Sequence, residues 1–397
     1  MADRTILHCD LNNFFASVSL LSCKTLIGEP VAVCGSVEDR HGIVLAKNEI
    51  AKKYGVKTAE VVWEAKAKCP NLIILPPNYK KYEEYSKAVR KIYERYTDIV
   101  EPFGMDECWL DVTGSRLLFG DGETIANRIR KEVKKELELT ISVGVSFNKV
   151  FAKLGSDMKK PDAVTVISRE NFKQKVWPLP VGDLLFVGKR TAERLNRVGI
   201  FTVGDLTLAD DATLKKLLGK NGIELKNNAL GLDETPVTPY TDDYLPKSVG
   251  RSVTPKNDIS DYETVWKIYV ELAEDISRQL RKKGLTATGI CIHTRTSSLE
   301  TKETSKTFKN ATDCSMTLAR RAMDFFKSTY DFSKPLRSVG FRAINLRPKT
   351  DTAFQVDLFG NTLDEDREEL IEESIIKVRE KFGKSSIKRA VSVDKET

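Results

Sequence analysis

Two adjacent acidic residues, Asp106 and Glu107, lie between two apolar-rich runs, 98–103 and 108–112, which predict the strands of a hairpin. Adjacent side chains of a regular strand point to opposite faces, so both carboxylates serve one site only if the backbone bends there. Asp10 ends the apolar run 5–9, which predicts a central strand that delivers a third carboxylate to the same sheet edge. A solvated turn without chemistry is the alternative for the acidic pair taken alone.

Three neighbouring carboxylates repel one another and are stable as anions mainly when divalent cations neutralise them. Hard oxygen ligands favour Mg²⁺, which keeps water and substrate phosphates as its other ligands. Two such ions about 3.5–4 Å apart stabilise both the attacking and the leaving oxygen of a phosphoryl displacement. The three histidines, at positions 8, 41 and 293, have no ligand spacing, so histidine-based metal chemistry is not indicated.

Three segments occur in a specific order: CDLNNFFASV at 9–18, the Asp106/Glu107 hairpin, and SVGVSFNKVFAKLGSDMKKP at 142–161. In this order they resemble the polymerase motifs of the Y-family translesion DNA polymerases, and the resemblance extends from about residue 5 to about residue 346. It implies an α+β right-hand polymerase with a palm sheet, small fingers, a helical thumb containing a helix-hairpin-helix, and a βαββαβ little finger. It also implies that Asp10, Asp106 and Glu107, with the backbone carbonyl of Leu11, bind two Mg²⁺ ions.

The same resemblance, together with shifts in composition, predicts the domain boundaries. They are 1–18 and 77–166 for the palm, 19–76 for the fingers, 167–233 for the thumb, 234–246 for a Pro- and Asp-rich linker, 247–347 for the little finger and 348–397 for a tail.

Phe14 and Phe15 are adjacent, so on a helix they cannot share a face. One ring is expected to pack inward and the other to border the cleft. The resemblance assigns Phe15 to the steric gate, the ring that lies under the sugar of an incoming nucleotide and clashes with a ribose 2′-hydroxyl. The alternative is that both rings belong to the core.

Other nucleotide-binding residues follow from the resemblance alone. Ile43 and Leu45 would form the roof over the templating base pair. Lys160 matches the lysine that holds the triphosphate, and Lys52 keeps a cation where relatives carry an arginine. Glu49 replaces a tyrosine of that motif and Ala46 replaces a residue that often bears a hydroxyl, so Lys47 or Lys53 could compensate in the phosphate clamp.

Two basic segments are candidates for DNA contact. Gly188, Lys189 and Arg190 open a segment that resembles a helix-hairpin-helix, in which glycines let backbone amides approach phosphate. A plain helical hairpin is the alternative. Residues 245–347 carry 19 basic and 11 acidic residues, and the predicted strands place basic side chains at alternating positions on one expected DNA-facing side. These are Arg251, Arg295, Lys306, Lys309, Arg337 and Arg342.

The tail contains the peptide FQVDLFG at 354–360, which resembles the sliding-clamp binding peptide of bacterial polymerases. Gln355, Leu358 and Phe359 would make the contacts, although the two apolar side chains could instead fold back as a strap on the little finger. Residues 363–382 predict an amphipathic helix with an apolar stripe of Ile371, Ile375, Val378 and Phe382. That helix could pack on the core or bind a partner.

Composition sets wider bounds. The net charge of +7 is too small by itself to indicate a nucleic-acid partner, and the seven scattered cysteines without a CxxC pair indicate neither a disulfide framework nor a zinc site. Without a membrane span or leader, a cytoplasmic monomer is expected, with primer-template DNA, dNTP and a sliding clamp as partners. An inactive DNA-binding relative and a nucleotide cyclase with a palm fold are the two rival functions.

Overall fold

The computed structural model describes residues 4–36, 38, 42–239, 245–351, 362–383, 386, 387 and 389. The chain divides into two compact units, the first comprising Met1–Gly35 and Gly42–Asp242 and the second containing Asp243–Thr397. All seven cysteine thiols are free. In the described ranges, none of the helices has the length and apolar character needed to cross a bilayer.

The first unit alternates strands and helices and then ends in a run of helices. Its strands are β1 (Ile6–Leu11), β2 (Val31–Cys34), β3 (Val44–Lys47), β4 (Ile73–Leu75), β5 (Val100–Pro102), β6 (Glu107–Asp111), β7 (Ile141–Ser146) and β8 (Val164–Ile167). Its helices are α1 (Phe14–Ser22), α2 (Glu49–Lys53), α3 (Val62–Lys68), α4 (Tyr79–Tyr93), α5 (Arg116–Phe119), α6 (Gly122–Leu137), α7 (Lys149–Met158), α8 (Phe172–Val176), α9 (Lys189–Asn196), α10 (Val203–Leu208), α11 (Asp211–Leu218) and α12 (Lys220–Ala229).

Five strands form the main sheet in the order β5-β6-β1-β7-β8, which is the sheet predicted as the palm. The central strand β1 is antiparallel to β6 and β7 and buries all six of its residues. Strand β8 joins parallel to β7. Strand β8 was not among the predicted strands, because a run of four residues is too short to identify by its pattern.

Helices α4 and α6 pack on one face of this sheet. Their apolar positions recur every three or four residues, and Tyr82, Val89, Ile125, Ile129 and Val133 are buried in a common core with the sheet. The aromatic stripe on α4 therefore packs against the sheet, as its spacing of three and four residues requires. Helix α7 covers the opposite face, which is the face that carries Asp10.

The predicted fingers contain a three-stranded sheet in the order β3-β2-β4, with β2 antiparallel to β3 and parallel to β4. Helix α2 begins after Asn48, whose side chain accepts a hydrogen bond from the backbone N–H of Ala51. Helices α8 to α12, in the segment predicted as the thumb, share one apolar core with α7, which includes Phe151, Val176 and Leu225.

The second unit has the predicted βαββαβ order, followed by a tail helix. Its elements are β9 (Ser248–Val253), α13 (Tyr262–Lys282), β10 (Leu285–Thr296), β11 (Thr301–Thr312), α14 (Ser315–Thr329), β12 (Leu336–Pro348) and α15 (Thr362–Phe382). The strands form an antiparallel sheet in the order β11-β10-β12-β9. One face of this sheet packs on α13 and α14 through a core that includes Ile290, Ile292 and Phe341.

The tail helix α15 docks on α13 and α14 through polar contacts. Glu372 is buried and accepts a hydrogen bond from the backbone N–H of Ser315 at 2.8 Å, while Arg379 pairs with Glu274 at 3.0 Å. Of the predicted apolar stripe, Ile371 and Phe382 are 46% and 66% exposed, whereas Ile375 and Val378 are partly buried. The buried carboxylate of Glu372 adds a polar contact with the rest of the unit.

Candidate active site

Strands β1 and β6 place Asp10 and Glu107 directly opposite each other as register partners of an antiparallel pair. Directly opposed residues of such a pair point to the same face of the sheet, with their Cβ atoms about 4.5–5.5 Å apart. Asp10 is buried and Glu107 is partly exposed. Register therefore brings these two of the three predicted carboxylates to one edge.

Asp106 occupies the bend that the sequence required. Residues 104–106 bend between β5 and β6, and Gly104 has a φ of 95°, which an L side chain rarely adopts. The backbone N–H of Leu11 donates to the carbonyl oxygen of Asp106 at 3.0 Å, which ties the bend to the end of β1. Burial first, and then the Asp10 and Glu107 carboxylates, raise the pKa of Asp106 to about 6.

Lys153 reaches the carboxylates because α7 lies very close to the sheet. A Cβ atom added at Gly144 of β7 would lie 1.9 Å from the carbonyl oxygen of Ala152, so only glycine permits this approach. The Lys153 Nζ atom lies 2.8 Å from Glu107 Oε2 and 3.3 Å from Asp10 Oδ2. Lys153 therefore contacts two of the three acids.

Lys160 lies just beyond the C-terminal end of α7, with its Nζ atom 2.8 Å from Asp10 Oδ2 and 2.8 Å from Asp157 Oδ1. Burial lowers the pKa of this ammonium, but the Asp10 carboxylate outweighs burial and the pKa is raised overall. Lys160 is therefore a fixed cation beside the acidic cluster.

His8 is a site residue that sequence reasoning missed. It is fully buried two residues before Asp10 on β1, its Nε2 atom lies 3.2 Å from Glu107 Oε2, and its Nδ1 atom lies 2.8 Å from Ser156 Oγ. Burial alone would raise the pKa of Glu107, but hydrogen bonds from His8 and Lys153 and the Lys153 charge lower it to about 2. The signal was the two-residue spacing, which places His8 and Asp10 on one face of the strand.

The donor set fits a hard divalent cation, because Asp10 and Glu107 lie opposite each other and Asp106 occupies the adjoining bend, so the site offers the carboxylate oxygens that Mg²⁺ prefers. In the part of the chain that the structure describes, no group of three or more His, Cys, Asp or Glu side chains already surrounds a common metal position. The ammonium groups of Lys153 and Lys160 balance the acidic charge in this arrangement.

Phe14 and Phe15 divide as expected. Phe14 is 3% exposed and belongs to the core, whereas Phe15 is partly exposed at its border. The Phe15 ring stacks on Tyr82 with its edge toward Tyr79. Phe15 therefore packs against the edge of the core and keeps part of its ring exposed.

The other predicted nucleotide contacts lie on the fingers elements. Ile43 forms a bridge with Val61 just before β3 and is 39% exposed, and Leu45 is partly exposed on β3. Lys52 lies on α2, and its Nζ atom is 3.6 Å from Glu49 Oε1. Glu49, which stands where relatives carry a tyrosine, therefore forms an ion pair with Lys52, the predicted phosphate-binding lysine. The Asn13 side chain also donates to Glu49 Oε1, at 2.9 Å.

The helix-hairpin-helix candidate consists of α9 and α10. Gly188 is the N-cap of α9 and has no side-chain cap, and Lys189 and Arg190 are exposed on its first turn. This arrangement leaves backbone amides and two cations together at one helix end.

Strand register divides the predicted basic residues of the second unit between the two faces of the sheet. Arg342 lies opposite Cys291, and Arg295 lies opposite Ser338, so these two arginines share the face that α13 and α14 leave uncovered. Arg251 is instead paired with the core residue Phe341, and Lys306 is paired with Ile290. Arg337 falls at a register shift between β10 and β12, so alternation does not place it. Gln355, Leu358 and Phe359 lie outside the described residues.

The comparisons with known proteins agree with this geometry. The impB/mucB/samB family matches residues 9–157, and the C-terminal domain of the same family matches residues 246–358. The DNA polymerase IV of Acetivibrio thermocellus is 47% identical over 388 residues, covering 98% of this chain and 97% of that protein. DNA polymerase IV 1 of Bacillus subtilis is 39% identical over 393 residues, covering 99% of this chain and 94% of that protein.

A solved Y-family DNA polymerase chimera has the same fold, with a TM-score of 0.76 and 23% identity over 86% of this chain and 98% of that one. The chain therefore belongs to the impB/mucB/samB family. Its fold is that of a Y-family DNA polymerase, so the predicted α+β right-hand fold is confirmed. It is a DNA-directed DNA polymerase, similar over nearly its whole length to bacterial DNA polymerase IV.

Proposed function

We propose that this chain extends a primer on a DNA template past damaged bases, with low fidelity, by two-metal nucleotidyl transfer. The observation that carries the proposal is the opposition of Asp10 and Glu107 across β1 and β6, with Asp106 at the adjoining bend. The proposed substrates are primer-template DNA and a dNTP, and the products are the extended primer and pyrophosphate.

Different residues of the chain would bind the metal ions and the phosphates of the nucleotide. Asp10, Asp106 and Glu107, with the Leu11 carbonyl, would hold two Mg²⁺ ions, which when bound supply charge stabilisation for the attacking and leaving oxygens. Lys160, already held beside Asp10, binds the negatively charged triphosphate and pyrophosphate, and Lys52 assists from α2.

Low fidelity and lesion tolerance follow from how little surface the proposed fingers offer. Their helices α2 and α3 contain five and seven residues, and the roof residues Ile43 and Leu45 lie at a short strand. A small roof makes few contacts that could reject a distorted base pair, because discrimination depends on differences in contact energy between right and wrong substrates.

Asp106→Ala tests the metal assignment. The change removes a carboxylate needed in the transition state but no predicted DNA contact, so extension of a primer on a gapped template falls by orders of magnitude while primer-template binding stays within a few-fold. Glu84→Ala, which removes an exposed acid on α4, is the matched control and keeps full extension. Extension at the wild-type rate by Asp106→Ala, or extension without any divalent cation, contradicts the two-metal assignment.

A further inference from the structure

The sheet of the second unit has an open face, opposite the face that packs on α13 and α14. Register places Gly250, Arg342, Cys291 and Glu303 near one another on this face, on four adjacent strands, and Arg295 lies further along β10. A groove of about 640 Å³ lies over these residues and is also lined by Ser248, Arg251, Ser252 and His293.

A carboxylate lies in the middle of this otherwise basic and polar face. Glu303 on β11 reaches across β10 to Arg342 on β12, with Oε2 2.7 Å from Nη2 and Oε1 3.3 Å from Nη1. The His293 Nδ1 atom lies 3.7 Å from the same carboxylate. The Arg342 guanidinium therefore donates a bidentate pair of hydrogen bonds to the two carboxylate oxygens of Glu303. A phosphate group binds arginine in the same bidentate geometry.

The surroundings leave Arg342 accessible from the groove. A Cβ atom at Gly250 would lie 2.2 Å from the Arg342 Cβ atom, so the neighbouring strand can carry only glycine beside it. Arg342 and Glu303 are 42% and 44% exposed, and an ion pair this exposed contributes little to folding stability. Stability therefore does not explain why an acid is placed on this face.

Arg295 provides the contrast on the same face. In the part of the chain that the structure describes, no carboxylate lies within ion-pair distance of Arg295, whereas Arg342 is held by Glu303. The two arginines thus differ in whether an internal anion already occupies them.

We propose that Glu303 competes with DNA phosphate for Arg342 and thereby limits the affinity of this domain for duplex DNA. The inference rests on the proposed DNA-binding function of this unit. Phosphate must displace Glu303 to reach the guanidinium, so one phosphate contact is weakened by a built-in competitor, and the polymerase dissociates more readily from its primer-template.

Glu303→Gln tests this inference in the full-length protein, because it removes the charge and keeps the size of the side chain. We expect tighter binding of primer-template duplex, and a slope of log affinity against log salt that is steeper by up to about 0.9, the value of one phosphate contact. Glu300→Gln is the matched control, since Glu300 forms an exposed ion pair with Lys334, 2.8 Å apart, in the same unit. It changes the net charge equally and leaves the salt slope at its wild-type value.

Arg342→Gln separates a specific effect from a general charge effect. In the Arg342→Gln background, adding Glu303→Gln produces no more change than Glu300→Gln does. If Glu303→Gln matches Glu300→Gln in the wild-type background, or strengthens binding equally without Arg342, the competition does not exist. A separate outcome would show that this face does not bind DNA at all. In that case the salt slope stays at its wild-type value in Arg295→Gln and in Arg342→Gln, and also when either change is combined with Glu303→Gln. The proposed DNA contact and the inference would then both be wrong.

Discussion

The ring of Phe15 lies almost parallel to the ring of Tyr82, with the ring centroids 4.2 Å apart and the planes 10° apart. Tyr82 is fully buried, and its hydroxyl oxygen lies 2.9 Å from Ser19 Oγ, so the supporting ring is fixed on both sides. Stacked aromatic pairs hold each other in a narrow range of positions. A ring that excludes a 2′-hydroxyl must resist displacement, and this stack supplies that resistance.

Phe15→Ala is expected to increase ribonucleotide incorporation far more than it changes dNTP incorporation. The substitution removes the ring proposed to collide with the 2′-hydroxyl. A loss of about 1.4 kcal/mol in discrimination between the two sugars raises the ratio of rNTP to dNTP incorporation tenfold. Single-nucleotide insertion kinetics with rNTP and dNTP measure the ratio. Tyr82→Phe keeps the stack and removes only the hydroxyl, so its ratio stays near wild type. An unchanged ratio in Phe15→Ala would place sugar selection elsewhere.

Replacing Lys160 or Lys153 by glutamine is expected to change different kinetic properties of primer extension. Lys160 touches Asp10 and Asp157, and its proposed ligand is the triphosphate, so Lys160→Gln raises the KM for dNTP by about 10- to 100-fold, the range of a charged hydrogen bond. Lys153 lies between Asp10 and Glu107. Removing that positive charge lets the carboxylates attract a cation more strongly, because like charges no longer compete.

Lys153→Gln therefore lowers the Mg²⁺ concentration required for half-maximal extension, whatever it does to the maximum rate. Magnesium titrations of single-turnover extension separate the two lysines. A shift in the magnesium midpoint with Lys160→Gln and none with Lys153→Gln would reverse the assignments.

Much of the acidic site was predictable from local sequence. The apolar run before Asp10 and the two runs around Asp106 and Glu107 specify a strand and a hairpin, and the adjacency of the two acids requires a bend. The pairing of Asp10 with Glu107 is a long-range relationship between β1 and β6. Local pattern does not determine it.

The basic residues of the second unit show where strand patterns fail. Alternation assigns the residues of each strand to two faces, but it does not say which set faces the helices when strands pair with a register shift. β10 has such shifts, between Ala287 and Gly289 against β11 and between Arg295 and Thr296 against β12. A shift of one residue moves every later side chain to the other face, and Lys306 lies just beyond the first of these shifts, opposite the core residue Ile290. Strand β9 pairs with β12 without a shift, and it is the pairing with the core residue Phe341 that places Arg251, which alternation within β9 alone does not determine.

Glu372 is expected to stabilise the second unit by capping another helix. Its Oε2 atom accepts the backbone N–H of Ser315, the first residue of α14, whose N-cap residue Cys314 provides no side-chain cap. Glu372→Ala leaves that amide without its carboxylate and removes a contact of α15, so the free energy of unfolding falls by about 1–3 kcal/mol. Denaturant unfolding measures the loss. Glu373→Ala, at the next and exposed position, is the control, and equal stability of the two variants would show that α15 is not docked in solution.

The last prediction concerns Leu358 and Phe359, which lie outside the described residues. The peptide that contains them is followed by α15, a helix joined to α13 and α14 by Glu372 and Arg379. Under the clamp-binding proposal, the two apolar side chains fill a pocket on the clamp, each contributing roughly 1.5–3 kcal/mol on full burial. The double change Leu358→Ala with Phe359→Ala then abolishes stimulation by a loaded bacterial sliding clamp, and intrinsic extension and melting temperature stay near wild type.

Leu117 and Leu118 provide the matched control for that variant, because they are also adjacent, apolar and largely exposed, at 99% and 79%. Replacing both by alanine removes the same kind of surface from α5 and leaves clamp stimulation intact. The strap interpretation predicts the opposite result for Leu358 and Phe359: the melting temperature drops, because two buried side chains are lost from the little finger, and any clamp stimulation persists. Primer extension with and without loaded clamp, measured beside thermal unfolding of the same three proteins, decides between the two.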